Sequence, residues 1–277
     1  MPELPEVETI RTGLAPCLIG RQIQALEIRT PKLRWPIPEE TLRRHTLHQT
    51  IRTLERRGKY LLAACGPGHM LIHLGMSGRL FLLPPDACAE RHDHVIWTLD
   101  DRTRFCLHDP RRFGALLWIE GEWQGHPLLQ ELGPEPLEEA FDGDHLYVWS
   151  RNRRVAIKTL LMNGRVVVGV GNIYATEALF LAGVHPARPA HWLTRACCGA
   201  LAEAIRQVLR AAIRQGGTTL RDYRQSDGRP GYFALELQAY GRTGAPCHRC
   251  ATPIASLRLG QRSAFFCPRC QPLEESN

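Results

Sequence analysis

Two pairs of cysteines near the end of the chain constrain its fold more than any other feature. Each pair has the spacing C-x2-C, and sixteen residues lie between the pairs. This pattern is typical of a tetrahedral zinc site with four thiolate ligands, so His248 is not needed as a ligand. Apolar residues around a Gly-Gln turn favour a β-hairpin, or zinc ribbon, over a helical finger. We predict one structural zinc ion, bound by Cys247, Cys250, Cys267 and Cys270.

Composition places the chain among intracellular globular proteins. Hydrophobic residues make up 44% of its 277 residues, enough for a packed core and too many for a disordered chain. No apolar run approaches the ~18 residues of a membrane span, and the acidic amino terminus lacks a signal-peptide core. A net charge of +7 favours a polyanionic partner. We expect a cytoplasmic protein without membrane contact, with six buried small apolar cysteines: Cys17, Cys65, Cys88, Cys106, Cys197 and Cys198.

The chain begins Met-Pro-Glu, and removal of the initiator methionine would make Pro2 the amino-terminal residue. A free α-amino group titrates near pH ~8, so a fraction of it is neutral and nucleophilic near pH ~7. A secondary amine that adds to an aldehyde gives an iminium ion, which accepts electrons when a β substituent is eliminated. Glu3 would transfer protons beside it. The structural alternative is that this proline opens a helix, because proline is frequent in first helical turns.

The first half of the chain has two periodicities. Leu4, Val7, Ile10, Leu14 and Leu18 recur every three or four residues, which predicts a helix over residues 1–19. Short apolar runs separated by Gly, Pro or Asp turns follow, as in an antiparallel β-sandwich. These runs cover residues 60–64, 70–74, 80–83, 95–99 and 115–119.

A Gly-Pro-Glu-Pro segment at residues 133–136 indicates a connection between domains. Helical periodicity follows it, over residues 155–162, 173–181 and 194–215. The resulting prediction is an α+β protein with three domains. They are an antiparallel β-sandwich with a flanking helix (1–132), a helical domain (133–236) and the zinc-ribbon hairpin (237–271).

Three motifs carry residue types suited to nucleic-acid chemistry. Lys59 is the last residue of the sequence Arg-Arg-Gly-Lys. A lysine whose pKa is lowered can transfer protons. The structural alternative is a solvated lysine at the end of a strand. Residues 109–114, Asp-Pro-Arg-Arg-Phe-Gly, put two guanidinium groups and an aromatic ring on one turn. Phosphate binding and insertion into a base stack both use this combination, and an exposed turn is the alternative. Met76 is flanked by Gly75 and Gly78, an unusual setting for a core methionine.

Two further motifs have competing interpretations. Residues 169–172, Gly-Val-Gly-Asn, resemble a nest of backbone N–H groups before a helix, which binds phosphate. The nest lacks the lysine of a P-loop and the acidic residue of a dinucleotide fold, so we expect no nucleotide cofactor. His92-Asp93-His94 fits a second metal site, but hydrogen bonding at a sheet edge or contact with phosphate is the favoured interpretation.

In their order along the chain, these motifs resemble the bacterial formamidopyrimidine-DNA glycosylases, which repair oxidised purines. The resemblance covers nearly the whole length, through MPELPEVET, RRGKYLL, HLGMSGRL, DPRRFG, LGPEPL, VVVGVGNIYA, QGGTTLRD, SDGRPGYF and QRSAFFC. It implies a helix-two-turn-helix domain, a damaged DNA duplex as partner, association with the nucleoid and a monomeric enzyme. Such an enzyme excises the base through a Schiff base and then cuts the strand by β,δ-elimination.

The resemblance implies four catalytic residues. Pro2 attacks the anomeric carbon of the sugar, and Glu3 opens the sugar ring as an acid and base. Lys59 transfers protons during loss of the base and β-elimination. Arg262, on the zinc hairpin, binds phosphate and assists the δ-elimination.

The resemblance also implies a set of DNA contacts. Met76, Arg111 and Phe113 fill the gap that the everted nucleotide leaves, with Arg111 facing the unpaired cytosine. A glycine-rich loop at residues 217–233 covers the damaged base. Phosphates are held by His92, Arg153, Lys158, Asn172 and Arg262.

Two alternatives stay open at this point. The related endonuclease VIII enzymes share the Pro-Glu chemistry and act on oxidised pyrimidines, but they typically begin Pro-Glu-Gly-Pro-Glu, whereas Leu4 stands in the place of that glycine. A zinc-ribbon protein that binds damaged DNA without cutting it would be a non-catalytic use of the same scaffold. Excision of 8-oxoguanine, of thymine glycol, or of neither separates the three.

Overall fold

The structure is a computed structural model that describes residues 2–84, 86–216 and 237–273. Of these, residues 2–84, 86–131 and 215–216 belong to one compact unit, and residues 132–214 and 237–273 belong to a second. The helical residues and the cysteine hairpin therefore belong to one unit, and the division into three domains stays a prediction. The loop expected at residues 217–233 lies outside the described residues.

The predicted amino-terminal helix is present as α1, Leu4–Leu18. Its stripe of five apolar residues is buried, because each of them is at most 1% exposed. These side chains pack into the core of the first unit, apart from Leu4, which is buried at the start of the helix. Pro16 lies in the last turn of α1, close to the point where the chain leaves the helix.

Eight strands of the first unit form two four-stranded antiparallel sheets with one common core. The strand order is β1-β6-β7-β5 in one sheet and β2-β3-β4-β8 in the other. Trp97 and Phe105 from the first sheet and Leu61 and Ile72 from the second belong to this core, as a β-sandwich requires. The bounds are β1 Ile23–Ile28, β2 Ile51–Arg57, β3 Tyr60–Cys65, β4 Gly68–His73, β5 Arg79–Leu83, β6 Asp93–Leu99, β7 Arg104–His108 and β8 Ala115–Glu120.

The predicted apolar runs coincide with β3, β4, β5, β6 and β8, to within a residue or two at each end. β1, β2 and β7 are strands that the apolar runs did not mark. A short helix, α2, spans Glu39–Thr46 and was not predicted, because only Leu42 and Thr46 of its residues are buried. The expectation for the scattered cysteines is confirmed at Cys65, Cys106 and Cys198, which are buried. It is wrong at Cys88, which is exposed, and Cys17 and Cys197 are only half-buried.

Four helices of the second unit surround a separate apolar core, with the bounds α3 Gly143–Ser150, α4 Ile157–Leu161, α5 Asn172–Leu181 and α6 Arg195–Arg214. Residues 173–181 and 194–215 were predicted to be helical, and α5 and α6 confirm both. α4 is shorter than the predicted 155–162, and α3 was not predicted. α6 contributes one buried stripe that includes Leu201, Ile205 and Leu209.

The predicted hairpin between the cysteine pairs is confirmed by β9, Ala255–Leu259, and β10, Arg262–Phe266. The two strands pair antiparallel from Leu259 and Arg262 outward, and Gly260 in the turn has a φ of 59°. Taken together, sandwich, helices and hairpin give the predicted α+β class. Within residues 2–84, 86–216 and 237–273, none of the helices has both the length and the apolar character needed to cross a membrane.

Candidate functional site

Pro2 and Glu3 lie immediately before α1, and Pro5, the second residue of that helix, occupies its first turn. Pro2 is half-buried, and the side chain of Glu3 beside it is buried. The backbone N–H of Glu3 donates a hydrogen bond to Glu6 Oε2 (2.8 Å), and Glu6 is buried as well. The positive end of the α1 dipole disfavours a protonated amine at this position. The alternative in which Pro2 opens the helix is wrong, because Pro2 precedes the N-cap Glu3 and the first-turn proline is Pro5.

An arginine from β2 connects α1 to the turn that carries Lys59. Arg56 Nε donates to Glu8 Oε2 (2.8 Å), and Arg56 Nη1 donates to the carbonyl oxygen of Gly58 (3.1 Å). Burial opposes the charge of Glu8, but hydrogen bonds from Arg11 and Arg56 outweigh it and hold the pKa of Glu8 below its ordinary value. Gly58, with a φ of 58°, and Lys59 form the two-residue turn between β2 and β3. The ion pair therefore ties the start of the chain to the lysine turn.

His73, at the end of β4, is a site residue that the sequence interpretation missed. Its ring lies 4.8 Å from that of Tyr60, and its Nδ1 accepts a hydrogen bond from the N–H of Gly75 (3.1 Å). Burial, reinforced by the positive charges of Lys59 and Arg34, lowers the pKa of His73 to about 4. The ring is therefore neutral near pH ~7. Because Nδ1 is the acceptor, Nε2 carries the proton.

Two large apolar side chains project from the first unit into solvent. Met76 is 44% exposed and Phe113 is 46% exposed, and the guanidinium carbon of Arg111 lies 4.7 Å from the centre of the Phe113 ring. The structure thus brings together the three residues expected to fill a gap in DNA. A cavity of about 580 Å³ lies beside them, lined by Leu33, Arg34, His73, Gly75, Met76, Arg112 and Phe113.

The His92-Asp93-His94 motif forms buried hydrogen bonds. Asp93 Oδ1 lies 2.7 Å from His108 Nδ1, and His94 Nε2 lies 2.9 Å from the carbonyl oxygen of Asp109. Among the described residues, the four paired cysteines are the one group of side chains placed to hold a metal ion. The prediction that these residues form hydrogen bonds is confirmed. The predicted position at a sheet edge is wrong, since β6, which begins at Asp93, lies between β1 and β7. His92 is half-buried, and its contact with phosphate stays a prediction.

The Gly-Val-Gly-Asn segment precedes a helix, α5, as predicted. Gly169 has a φ of 80°, Gly171 is the N-cap, and Asn172 is the first residue of the helix. Asn172 Oδ1 is buried and has no hydrogen-bond partner among residues 2–84, 86–216 and 237–273. Arg153, another expected phosphate contact, is exposed, with its guanidinium carbon 5.9 Å from the ring centre of Trp149. The phosphate roles of both residues stay predictions.

Lys158 and Arg262 line one cavity of about 460 Å³ in the second unit. Lys158, on α4, is buried, and its Nζ donates a hydrogen bond to the carbonyl oxygen of Ser263 on β10 (2.8 Å). Arg262, the residue before Ser263, is exposed at the start of β10. The buried amine of Lys158 thus holds β10, the strand that carries Arg262. The sequence predicted only a phosphate contact for Lys158 and did not predict this hydrogen bond.

The four paired cysteines converge as predicted. Their sulfur atoms all lie within 4.8 Å of one another, and Cys250 Sγ is 3.4 Å from Cys267 Sγ and 3.5 Å from Cys270 Sγ. Backbone N–H groups within the two cysteine loops donate to Cys247 Sγ and Cys267 Sγ (3.4 Å each), as thiolate ligands favour. His248 is outside the group and lies within hydrogen-bonding distance of Gln238. A tetrahedral zinc ion fits this donor set.

A buried carboxylate anchors the segment that leads into the cysteine hairpin. Glu177 on α5 accepts hydrogen bonds from the backbone N–H groups of Gln238, Ala239 and Tyr240, at 2.8 to 3.0 Å. Burial raises the pKa of Glu177, although the three N–H donors favour its charged form. Gln271 adds a second attachment, from its Nε2 to the carbonyl oxygen of Val184 (2.8 Å). The residues before the hairpin are therefore fixed to α5, and those after it are fixed to the segment that follows α5.

A β-sandwich with an amino-terminal Pro-Glu, followed by a helical segment and a four-cysteine hairpin, defines the class of zinc-finger DNA glycosylases. Three family models match in that order. They are the formamidopyrimidine-DNA glycosylase N-terminal domain at residues 1–116, the H2TH domain of the same enzymes at residues 132–224, and the zinc finger found in FPG and IleRS at residues 244–273. The chain belongs to the formamidopyrimidine-DNA glycosylase family.

Individual relatives support this assignment over the full length. The formamidopyrimidine-DNA glycosylase of Thioalkalivibrio sulfidiphilus is 55% identical, over 98% of this chain and 100% of that protein. That of Thiobacillus denitrificans is 56% identical over the same shares. Among solved structures, MutM (Fpg) from Thermus thermophilus has a TM-score of 0.87 at 39% identity, covering 99% of this chain and 100% of its own. Lactococcus lactis Fpg, in complex with DNA containing an abasic site, has a TM-score of 0.89 at 34% identity, covering 98% and 99%.

Proposed function

We propose that this DNA-repair glycosylase is bifunctional, removing oxidised purines from duplex DNA and then cutting the strand at the abasic site. The proposal rests above all on Pro2, which lies at the positive end of α1 next to the buried carboxyl of Glu3. An amine in this position is held in its neutral, nucleophilic form, with a proton carrier beside it. The relative whose structure contains an abasic site supports the same type of DNA substrate.

The proposed chemistry begins when the Pro2 nitrogen attacks C1′ and the bond from C1′ to the damaged base breaks. The departing base takes a proton, the proline nitrogen loses one, and Glu3 protonates O4′ so that the sugar opens to an iminium ion. Loss of a C2′ proton, with Lys59 as carrier, expels the 3′ phosphate. A second elimination, assisted by Arg262, expels the 5′ phosphate, and water then releases the sugar remnant from Pro2.

We propose that the exposed pair Met76 and Phe113, with Arg111, occupies the gap left by the everted nucleotide. Apolar side chains that enter a base stack recover part of the unstacking energy, which is a few kcal/mol. Arg111 would face the unpaired cytosine, since guanidinium groups pair well with base edges. Phosphate contacts from His92, Arg153, Lys158, Asn172 and Arg262 would set the register on the duplex without reading sequence.

The proposed zinc ion is structural. Four thiolates fill a tetrahedral coordination sphere, so no position is left for a reactive water molecule. The ion would hold the hairpin that carries Arg262 and would take no part in proton transfer. We also propose that one chain acts as a monomer, since the proposed residues all come from a single copy.

Borohydride trapping on abasic DNA tests the proposed nucleophile. A cleavable amino-terminal extension keeps the Pro2 nitrogen in an amide, so we expect no covalent adduct before cleavage and a full adduct once Pro2 is terminal. The N-terminal mass of each sample establishes which form is present. Pro2→Gly should give a much weaker adduct, because glycine replaces the secondary amine.

Substrate and control variants complete this test. We expect excision of 8-oxoguanine opposite cytosine to exceed that of thymine glycol, and the reverse order would identify a pyrimidine-directed enzyme. Lys59→Met and Arg262→Ala should still form adducts on preformed abasic DNA but should cut it slowly. An adduct that is undiminished by the extension or by Pro2→Gly would overturn the mechanism, and tight binding without any adduct would identify a non-catalytic binder.

A further inference from the structure

A fully buried carboxylate lies between the two segments that carry the exposed apolar residues. Asp109 Oδ1 accepts a hydrogen bond from Ser77 Oγ (2.8 Å), next to Met76. Asp109 Oδ2 accepts one from the backbone N–H of Gly114 (2.7 Å), next to Phe113. The N–H of Arg111 points at Oδ1 from a longer distance, 3.3 Å. One side chain, 0% exposed, therefore receives donors from both segments.

The two segments also approach each other through their backbones. Gly75 has a φ of 61°, and a Cβ atom built on it would lie 2.4 Å from the carbonyl carbon of Phe113. A Cβ on Gly114 would lie 2.7 Å from the carbonyl oxygen of His73 and 3.0 Å from Asp109 Oδ2. Only glycine permits this spacing, because real Cβ atoms do not come so close to a neighbouring backbone. The segments thus form one packed layer with Asp109 inside it.

The backbone of Asp109 extends the same connection to a third segment. Its N–H donates to the carbonyl oxygen of His92 (3.0 Å), and its own carbonyl oxygen lies 2.9 Å from His94 Nε2. Residues 76–77, 92–94 and 111–114 are distant in sequence, and a single aspartate contacts all three. The carboxylate thus links a donor from the distant Ser77 to two donors from the turn that follows Asp109, and such a buried, satisfied network specifies geometry more than it adds stability.

We infer that Asp109 is a positioning residue that holds Met76 and the Arg111–Phe113 segment in register, so that they enter the DNA gap as one unit. This inference rests on the proposed function of those residues. Asp109 itself contacts no reacting atom. Its carboxylate fixes the spacing between the two inserted side chains, and that spacing must match the height of the vacated base step.

Ser77→Ala is the sharpest test, because it removes the connection to one segment and leaves the other in place. We expect excision of 8-oxoguanine from a duplex to fall on the order of fivefold, the effect of one lost hydrogen bond. Borohydride trapping on single-stranded abasic DNA should stay unchanged, since no stacked nucleotide is everted there. Ser77→Thr keeps the hydroxyl and should restore duplex excision. Asp109→Asn should have a larger effect, because its amide cannot accept from all three donors.

Two measurements separate positioning from a loss of folding. The fluorescence of 2-aminopurine beside the lesion reports unstacking, and its rise should be smaller with Ser77→Ala than with the parent protein. In the background Met76→Ala, the substitution Ser77→Ala should have no further effect on duplex excision, since the side chain that it orients is gone.

The outcomes are decisive in both directions. The inference is wrong if Ser77→Ala slows trapping on single strands as much as it slows duplex excision. It is also wrong if the effect of Ser77→Ala adds fully to that of Met76→Ala, because Asp109 then does not act through insertion. Failure of the parent protein to form any adduct would instead contradict the proposed function. Urea unfolding of each variant excludes a general loss of structure as the cause.

Discussion

The pH dependence of stability provides a direct test of the environment of His73. Its pKa is about 4 in the folded protein, because of burial and the nearby charges of Lys59 and Arg34, against an ordinary value of 6.5. The unfolded chain therefore binds a proton at this residue at a pH where the folded chain does not. The stabilising contribution is present above pH ~6.5 and is lost as the pH falls toward ~4.

The size of the effect follows from the two pKa values. When the pH falls from about 7.5 to about 5, His73 takes up a proton in the unfolded chain but not in the folded one. This difference lowers the free energy of unfolding by about 2 kcal/mol. His73→Asn removes the titration and keeps an acceptor at the position of Nδ1, where the N–H of Gly75 donates. Between these two pH values, the free energy of unfolding of the parent protein should therefore fall by about 2 kcal/mol more than that of the variant.

The measurement is hydrogen exchange of the amides of β3 and β4 as a function of urea, since it reports the unfolding of the first unit. Other titrating groups cancel, because only the difference between parent and variant is compared. Equal pH slopes for parent and His73→Asn would refute the argument that this ring is neutral because it is buried among positive charges.

Three further predictions concern other parts of the chain. Glu177→Gln turns an amide N–H toward the N–H donors of residues 238–240, so the second unit should lose about 1–3 kcal/mol in urea unfolding, and a neutral result would contradict the role of the carboxylate. Gly75→Ala should destabilise the first unit by well over about 1 kcal/mol, whereas Gly121→Ala, at a similar positive φ but with open space, should cost only about 1 kcal/mol in the same assay. Elemental analysis should find one zinc ion per chain, and none with Cys267→Ser; full zinc in the variant would exclude this ligand set.

Sequence periodicity predicted the elements that have one strong apolar signal. α1 and α6 have stripes at helical spacing, and β3 and β4 have continuous apolar runs because they are buried on both faces. α2 was missed because it has no apolar stripe. Its sequence is Glu-Glu-Thr-Leu-Arg-Arg-His-Thr, and the six residues other than the buried Leu42 and Thr46 are all charged or polar. Its helical form depends on packing against the sandwich, which periodicity alone cannot reveal.

The chemistry of individual residues was predicted where spacing defines the geometry. The cysteine pairs needed only C-x2-C twice, and the sulfur atoms converge as expected. His73 and Asp109 were not identified, because their importance comes from partners far away in sequence. Ser77 and Asp109, for example, are 32 residues apart. Lys158 was expected to contact phosphate, and its bond to Ser263 depends on β10, 105 residues later.

The ion pair between Glu8 and Arg56 has a consequence for the response to salt. Both side chains are mostly buried, at 16% and 11% exposure, so dissolved ions screen their attraction only weakly. Arg153 and Arg262, the exposed arginines among the proposed phosphate contacts, lie by contrast in solvent, where counterions would compete with them for phosphate. Raising the ionic strength should therefore weaken DNA affinity steeply and leave the turnover of bound substrate nearly constant. Salt would then separate recognition from catalysis without a single substitution.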